Sequence, residues 1–583
     1  MIGTLLGGHC CSPLQTVALR SIVAFSVAAS LAAPSAAQSQ GQSLITAGWG
    51  PVGPGPGGPG TSISQRPQVA SAVGGDAEHV VFERWEVSGN PAVTRPSIYY
   101  SNRTPMGWVS TPILAGSLGY LLDPTLLVDG KGTATASDDT VWIACRRVAE
   151  ALAEKVEILR KDPGSGSFVR EGAGFGVSAL NNYVSEPRIV QMDNGTVVAC
   201  WIENQIEIPA PVKYRDLPVV FYKEPGASSF VLSSAWRSAV EATLPHEGSI
   251  ADLQVNVLPN NQLLVTYLSN EDGFVPGAAA NPCNPHSATL DFALGQGGQL
   301  VSGADFGTVP TKLNMNGDAR DTSTLRTTTL SDGRVVLAYT DNQDVVFNTY
   351  QPALGGQWTE PVLVDSRITP PDPSGSNLRE TALDVASNAD AILFVYGRGD
   401  GITETINLEA ASFDVSLLPT PSTPTPIGVA YPSLTTLVPS IQYNRLAPSY
   451  TQTDILERPL AFANGTFLGA VWEEKTTLQA LTNGVAPEHL MWSDQYVLDW
   501  SDIRLATANT DGSGGWTTVT PALNEPEGFA GCENPFVHVG PGRITVAWED
   551  RRHRYFPQLS LGSLGEDGGA EIYITELSLV AQP

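Results

Sequence analysis

The densest run of chemically capable side chains in the sequence is Glu549-Asp550-Arg551-Arg552-His553-Arg554-Tyr555. Arginine forks bind carboxylate or sulfate in bidentate fashion. Arg551 and Arg552 could therefore neutralise a uronate carboxylate while His553 or Tyr555 abstracts the C5 proton, which is the logic of a polysaccharide lyase. Glu549 and Asp550 are a carboxylate pair of the kind that glycoside hydrolysis uses. Glu549, Asp550, His553 and Tyr555 are the candidate catalytic residues. An exposed, solvated charged loop is the plainer reading of the same run and the preferred one. Further arginines stand at comparable points along the chain, and the candidate ligand-binding set is Arg66, Arg146, Arg188, Arg398, Arg551 and Arg552. No GxSxG, HExxH, P-loop or dinucleotide fingerprint occurs in a matching context.

These residues are placed by a repeat. A short apolar run, a tight turn and a longer apolar run ending in charge recur, as in PRIVQMDNGTVVACWIEN, TTTLSDGRVVLAYTDN and NPFVHVGPGRITVAWEDRR. The turns fall near residues 75, 130, 195, 261, 333, 389, 465 and 542. Several carry DNG, NN, SDG or NG, residues that tolerate the positive φ of tight β-hairpins. Each unit continues into a third strand and a Gly-containing hairpin that leads to an aromatic residue, as in SIYYSNRTPMGW, VVFYKEPGASSF and IRLATANTDGSGGW. No segment shows a helical period. Four antiparallel strands per unit, repeated eight times, predict an all-β protein: a β-propeller of about eight blades, with seven as the alternative.

The last unit has three strands, ending in EIYITELSLV, and SLITAGWGPV near the amino terminus resembles the missing fourth. The expectation is a ring closed by that amino-terminal strand, which removes the open sheet edge. The chain then divides into a signal peptide over 1–37, a closing strand and Gly/Pro-rich crossover over 38–62, and the propeller over 63–583.

In such a blade the start of the first strand and the end of the second meet on one face. Arg66, Glu186, Arg188 and Glu533 lie at first-strand starts; Glu83, Arg84, Arg146, Glu203, Arg398, Glu473, Glu549 and Arg551 lie at second-strand ends. His246, His286, His489 and His553 are placed in loops on that side. For any single arginine, bracing between neighbouring blades is the preferred reading, since interleaved opposite charges are what bracing needs. For the cluster as a whole, a binding face at the axial mouth is preferred.

The hairpins between third and fourth strands resemble the Asp box (BNR repeat) of the sialidase superfamily, Ser/Thr-x-Asp-x-Gly-x-x-Trp. Asn509-Thr-Asp511-Gly-Ser513-Gly-Gly-Trp516 keeps the Asp and the Trp, and Ser101-Asn-Arg-Thr-Pro-Met-Gly-Trp108 keeps the Ser and the Trp. The box is a structural turn, so the resemblance implies the fold. Arg66-Pro67 is a fragment of that family's Arg-Ile-Pro element. The family's Tyr–Glu nucleophile pair and acid Asp find no counterpart residue by residue. The resemblance implies a secreted, sialidase-like propeller that binds, and in the catalytic case cleaves, anionic glycans. The alternatives are a uronate lyase on the same scaffold and a non-catalytic extracellular protein-interaction propeller.

Composition bounds the partners. The 583 residues hold 59 acidic and 32 basic side chains, a net charge of −27, which argues against nucleic acid and an anionic membrane surface. Arg20, the apolar run Ile22 to Ala33 and the small residues before Gln38 form an export signal too short to span a bilayer. The expected location is extracellular or periplasmic, with no membrane insertion, and the expected state is a monomer. Export permits disulfides. Cys145 and Cys200 read as buried thiols, whereas Cys283 and Cys532, in Pro/Asn/Gly loops, are the disulfide candidates. No cofactor or metal site is expected; Asn270-Glu271-Asp272-Gly273 and Glu566-Asp567-Gly568 could hold a structural Ca²⁺ but lack a full ligand loop.

Overall fold

The computed structural model describes residues 43–51, 62–72, 75, 78–88, 93–104, 107–113, 119–130, 136–148, 154–176, 183–207, 213–243, 250–269, 284–295, 297–301, 322–341, 344–354, 356–365, 383–400, 405–418, 434–442, 459–465, 467–477, 499–510, 515–519, 523, 532–540, 542–550 and 571–580. The chain divides into two compact units, 1–39 and 40–583, and every described residue belongs to the second. Nothing described covers the export signal.

Eight antiparallel sheets follow one another along the chain, and each is a meander of neighbours in sequence order. Their first strands are Ser62–Ser71, Tyr120–Asp129, Val184–Gln191, Ile250–Leu258, Thr322–Thr329, Leu383–Ser387, Leu460–Asn464 and Cys532–Gly540. Each first strand touches the first strands of the sheets before and after it, and the eighth touches the first. That closed order makes the sheets blades around one axis: an eight-bladed β-propeller, numbered here blade 1 to blade 8. In blade 5 the fourth strand is broken into Gln357–Trp358 and Val362–Asp365, both paired with Asp344–Gln351. Blade 8 takes its fourth strand from the amino-terminal segment Ser43–Pro51, paired antiparallel with Glu571–Val580.

Alternation along the second strands fills the gaps between blades. In blade 6, Ile392, Phe394 and Tyr396 pack toward blade 5, while Leu393 and Val395 pack toward blade 7. The period of two is what a strand buried on both faces requires. The aromatic residues that end the third-to-fourth-strand hairpins do the same from the rim. Trp108, Phe168, Phe230, Trp358 and Trp516 each join an inter-blade apolar cluster. Asp511 lies outside the described residues.

Two expectations are corrected. A helix, Ser234–Thr243, joins blades 3 and 4. Its Trp236 and Val240, one turn apart, are buried in the cluster between those blades, and the Trp236 indole N–H donates to the Pro218 carbonyl at 2.7 Å. Cys532 stands at the head of a strand rather than in a loop. Its thiol is buried and donates to Asp550 Oδ2 at 3.5 Å, while Cys283 lies outside the described residues. Cys145 and Cys200 are buried free thiols.

Candidate functional site

Six first strands carry a bulge near their start, where two residues face one across the ladder. In five of these the bulged residue has a positive φ: Arg66 (55°), Asp123 (51°), Glu186 (49°), Asp252 (52°) and Asn534 (50°). For residues with a Cβ this conformation costs about 1–2 kcal/mol. In four of the five, proline follows, as Pro67, Pro124, Pro187 and Pro535, which suits a bulge because proline has no ladder N–H to lose.

The strain re-aims backbone donors at the neighbouring blade. The Arg66 N–H donates to Glu549 Oε1 of blade 8 at 2.9 Å. The Asp123 N–H donates to Glu83 Oε1 of blade 1 at 2.6 Å. The Asp252 and Leu253 N–H groups donate to the two oxygens of Glu186, at 3.1 and 2.7 Å. The same device continues from Leu325 N–H to Asp252 and from Ala461 N–H to Asp384. Carboxylates thus staple the first strands of blades 1, 2, 4, 5 and 7 to the blade before each. The staples lie at the face where first strands begin, which is the axial mouth.

The carboxylates are turned inward and the guanidiniums outward. Glu83 and Glu549 are 0% and 1% exposed, whereas the Arg66, Arg188 and Arg326 side chains are 45%, 39% and 35% exposed. Arg66 bonds Glu83 at 3.1 Å and also Asp123. Burial opposes its charge, but Glu83 and Asp123 outweigh that and hold its pKa above the ordinary guanidinium value. Arg146 pairs with Asp123 at 2.7 Å and with Glu154 at 3.5 Å.

Arg188 is different. It donates to the Leu253 and Pro187 carbonyls at 3.2 and 3.3 Å, and among the described residues its nearest paired carboxylate, Glu186, is 3.9 Å away. Burial among the surrounding blades pulls its pKa below the ordinary value against the attraction of Glu186, and the neighbouring charge of Arg326 adds to the drop. Arg326 reaches back from blade 5 to Asp252 at 3.3 Å and to its own Leu325 carbonyl at 2.7 Å. Arg188 and Arg326 therefore flank the blade 4 bulge from its two sides.

The structure brings Arg66 and Arg146 together through Asp123. Arg188 is also close enough to Asp123 to feel its charge. Glu549 accepts from Arg66 N–H and from the Asn534 amide at 2.8 Å. Asp550 is buried and accepts from the Trp548 indole at 3.2 Å. Arg84, though at a second-strand end, turns to the other sheet face and pairs with buried Glu571 at 3.0 Å. His286 is not in a loop: it sits in the strand Asn284–Asp291, buried and stacked on Tyr267. Side-chain placement for Arg398, and all of Arg551, Arg552, His553 and Tyr555, lie outside the described residues, as do His246 and His489 and both acidic turns named as Ca²⁺ candidates. Among the described residues no group of three or more His, Cys, Asp or Glu is placed to hold a metal ion, and no helix is long and apolar enough to cross a membrane.

Arg326 and the bulge staples were missing from the sequence reading. The signal for four of the bulges is the dipeptide of a charged residue or Asn with Pro, at Arg66, Asp123, Glu186 and Asn534.

No family model matches the sequence, and no curated protein is significantly similar to it. Among solved structures, the chain is similar to the polysaccharide lyase Uly1 at 10% identity, covering 88% of this chain and 89% of that one, with a TM-score of 0.38. It is similar to an α-L-arabinanase of Penicillium chrysogenum complexed with arabinobiose at 12% identity, covering 62% and 100%, TM-score 0.31. It is also similar to the GH93 α-L-arabinofuranosidase of Fusarium graminearum with arabinobiose, at 12% identity, 64% and 99% coverage and a TM-score of 0.33. These are distant likenesses, and the fold rests on the strand topology itself.

Proposed function

We propose that the chain is an exported propeller, sialidase-like in its blade hairpins, that binds a carboxylated glycan at its axial mouth. The observation that carries the reading is the arrangement there. Both oxygens of Glu186 and one each of Glu83 and Glu549 accept from backbone N–H groups, while Arg66, Arg188 and Arg326 keep a third or more of their side-chain surface open. An arginine has five N–H donors, and Arg188 spends two of its groups on backbone carbonyls. A carboxylate accepts from such a fork in bidentate fashion. The nearby acids make the mouth close to charge-balanced, so a ligand gains from directed N–H contacts rather than from long-range attraction. Glu549 and Asp550 are buried and engaged with neighbours, so the reading is one of binding.

The test is calorimetric titration of the exported protein with oligogalacturonate, sialyllactose and neutral maltotetraose. Binding of a carboxylated glycan without binding of maltotetraose is expected. Absence of binding to both carboxylated probes, or equal binding of the neutral one, contradicts the reading.

A further inference from the structure

Nine tryptophans have described side chains, and eight of them, Trp85 excepted, join an apolar cluster between blades. Trp85 joins none of those clusters. It is half-buried, two residues beyond Glu83 on the second strand of blade 1. Alternation puts Glu83 and Trp85 on one sheet face and Arg84 on the other, in accord with the Arg84–Glu571 pair on the side of blade 8 and the Glu83–Asp123 bond on the side of blade 2. Trp85 also pairs with Ile63, three residues before the Arg66 bulge, so it stands above the staple at the mouth.

Its one polar contact among the described residues is informative. The Trp85 indole N–H lies 3.4 Å from Glu83 Oε2, while Arg66 bonds Glu83 Oε1 at 3.1 Å. Gln65 donates to Oε2 at 3.0 Å. A single carboxylate, fully buried, thus holds an indole on one oxygen and a half-exposed guanidinium on the other. A half-buried indole that joins none of these clusters among the described residues offers a flat apolar surface beside a carboxylate-binding fork. A pyranose bearing a carboxylate presents that combination: a C–H face to stack and an anion at the ring's edge.

We infer that Trp85 is the stacking platform for a uronate pyranose whose carboxylate is held by Arg66, with Glu83 as the residue that positions both. This rests on the carboxylated-glycan reading and narrows it to the blade 1 side of the mouth. Glu83→Gln keeps the oxygen that accepts from Asp123 N–H but loses one acceptor, so it should weaken uronate binding while the protein still folds.

The experiment titrates wild type, Trp85→Ala and Trp85→Phe with oligogalacturonate, following tryptophan fluorescence and calorimetry together. Trp85→Ala should lose affinity on the order of tenfold. Trp85→Phe should keep affinity within a few-fold yet lose the ligand-induced fluorescence change, which a merely structural tryptophan would not show. If wild type binds oligogalacturonate and Trp85→Ala binds it equally well, the platform is wrong and the carboxylated-glycan reading survives. If wild type binds no carboxylated glycan, both fall.

Discussion

Arginines of the mouth differ in how their charge is met, and that difference decides what each substitution does. Arg66 and Arg146 share Asp123, so removing either loosens the tie between blades 1 and 2 as well as the proposed ligand site. Arg84 is a purely bracing case, 3% exposed against Glu571 at 1%. Glu571→Ala removes the carboxylate that meets this buried guanidinium and should cost about 3–5 kcal/mol of stability; a denaturant midpoint equal to wild type would contradict that. Asp384 carries the pH prediction. Burial raises its carboxyl to about 6, against the attraction of Arg326 and the Ala461 N–H. An unfolded Asp titrates near 4, roughly, so the folded state holds the proton more tightly. Its contribution to stability is therefore fully present below about pH 4 and falls as pH rises toward 6. Asp384→Asn can still accept the Ala461 N–H, so its melting temperature should vary less between pH 4 and 6.5 than that of wild type. Equal slopes for the two proteins would remove the assignment.

At the scale of elements, the closing strand matters most. Ser43–Pro51 covers the edge of Glu571–Val580, and without it blade 8 ends in an unpaired edge. Deleting residues 43–51 should lower the melting temperature markedly, and an unchanged value would contradict the closure. Five of the eight first hairpins were legible in sequence because their turns need φ > 0. Gly195, Asn260, Gly333, Gly465 and Gly542 adopt it. The third-to-fourth-strand aromatics were legible for a similar reason, since a Gly-rich turn before Trp or Phe leaves one side chain to anchor it. The helix Ser234–Thr243 was not, because its apolar stripe is two buried residues, Trp236 and Val240. The bulges were not either. Arg66 and Glu186 read as strand-start charges that brace or bind through their side chains, whereas the Arg66 and Asp123 N–H groups and the Glu186 carboxylate are what tie blade to blade. Arg326 escaped notice because it lies inside a first strand, opposite Ala338, and reaches the mouth by folding back to Asp252.

At the scale of the molecule, a net charge of −27 repels anions at long range, and the mouth's own acids leave little local excess of positive charge. Glycan affinity should therefore fall only weakly with added salt between 50 and 300 mM, roughly, unlike that of a basic-groove protein. A steep fall would point to bulk electrostatics instead of directed contacts. The proposed export makes a separate prediction: the amino terminus of the mature protein, read by Edman degradation or mass spectrometry, should be Gln38. An intact Met1 in exported material would contradict it. The central claim is that guanidiniums at the mouth bind ligand rather than only brace blades. Arg188 tests it most directly, since among the described residues its nearest paired carboxylate is 3.9 Å away and its hydrogen bonds go to two backbone carbonyls. The measurement is oligogalacturonate affinity and melting temperature of Arg188→Ala beside wild type. The account predicts a loss of affinity of about 10- to 150-fold with a melting temperature within about 2 °C of wild type. A lowered melting temperature with unchanged affinity would contradict it and make Arg188 a brace.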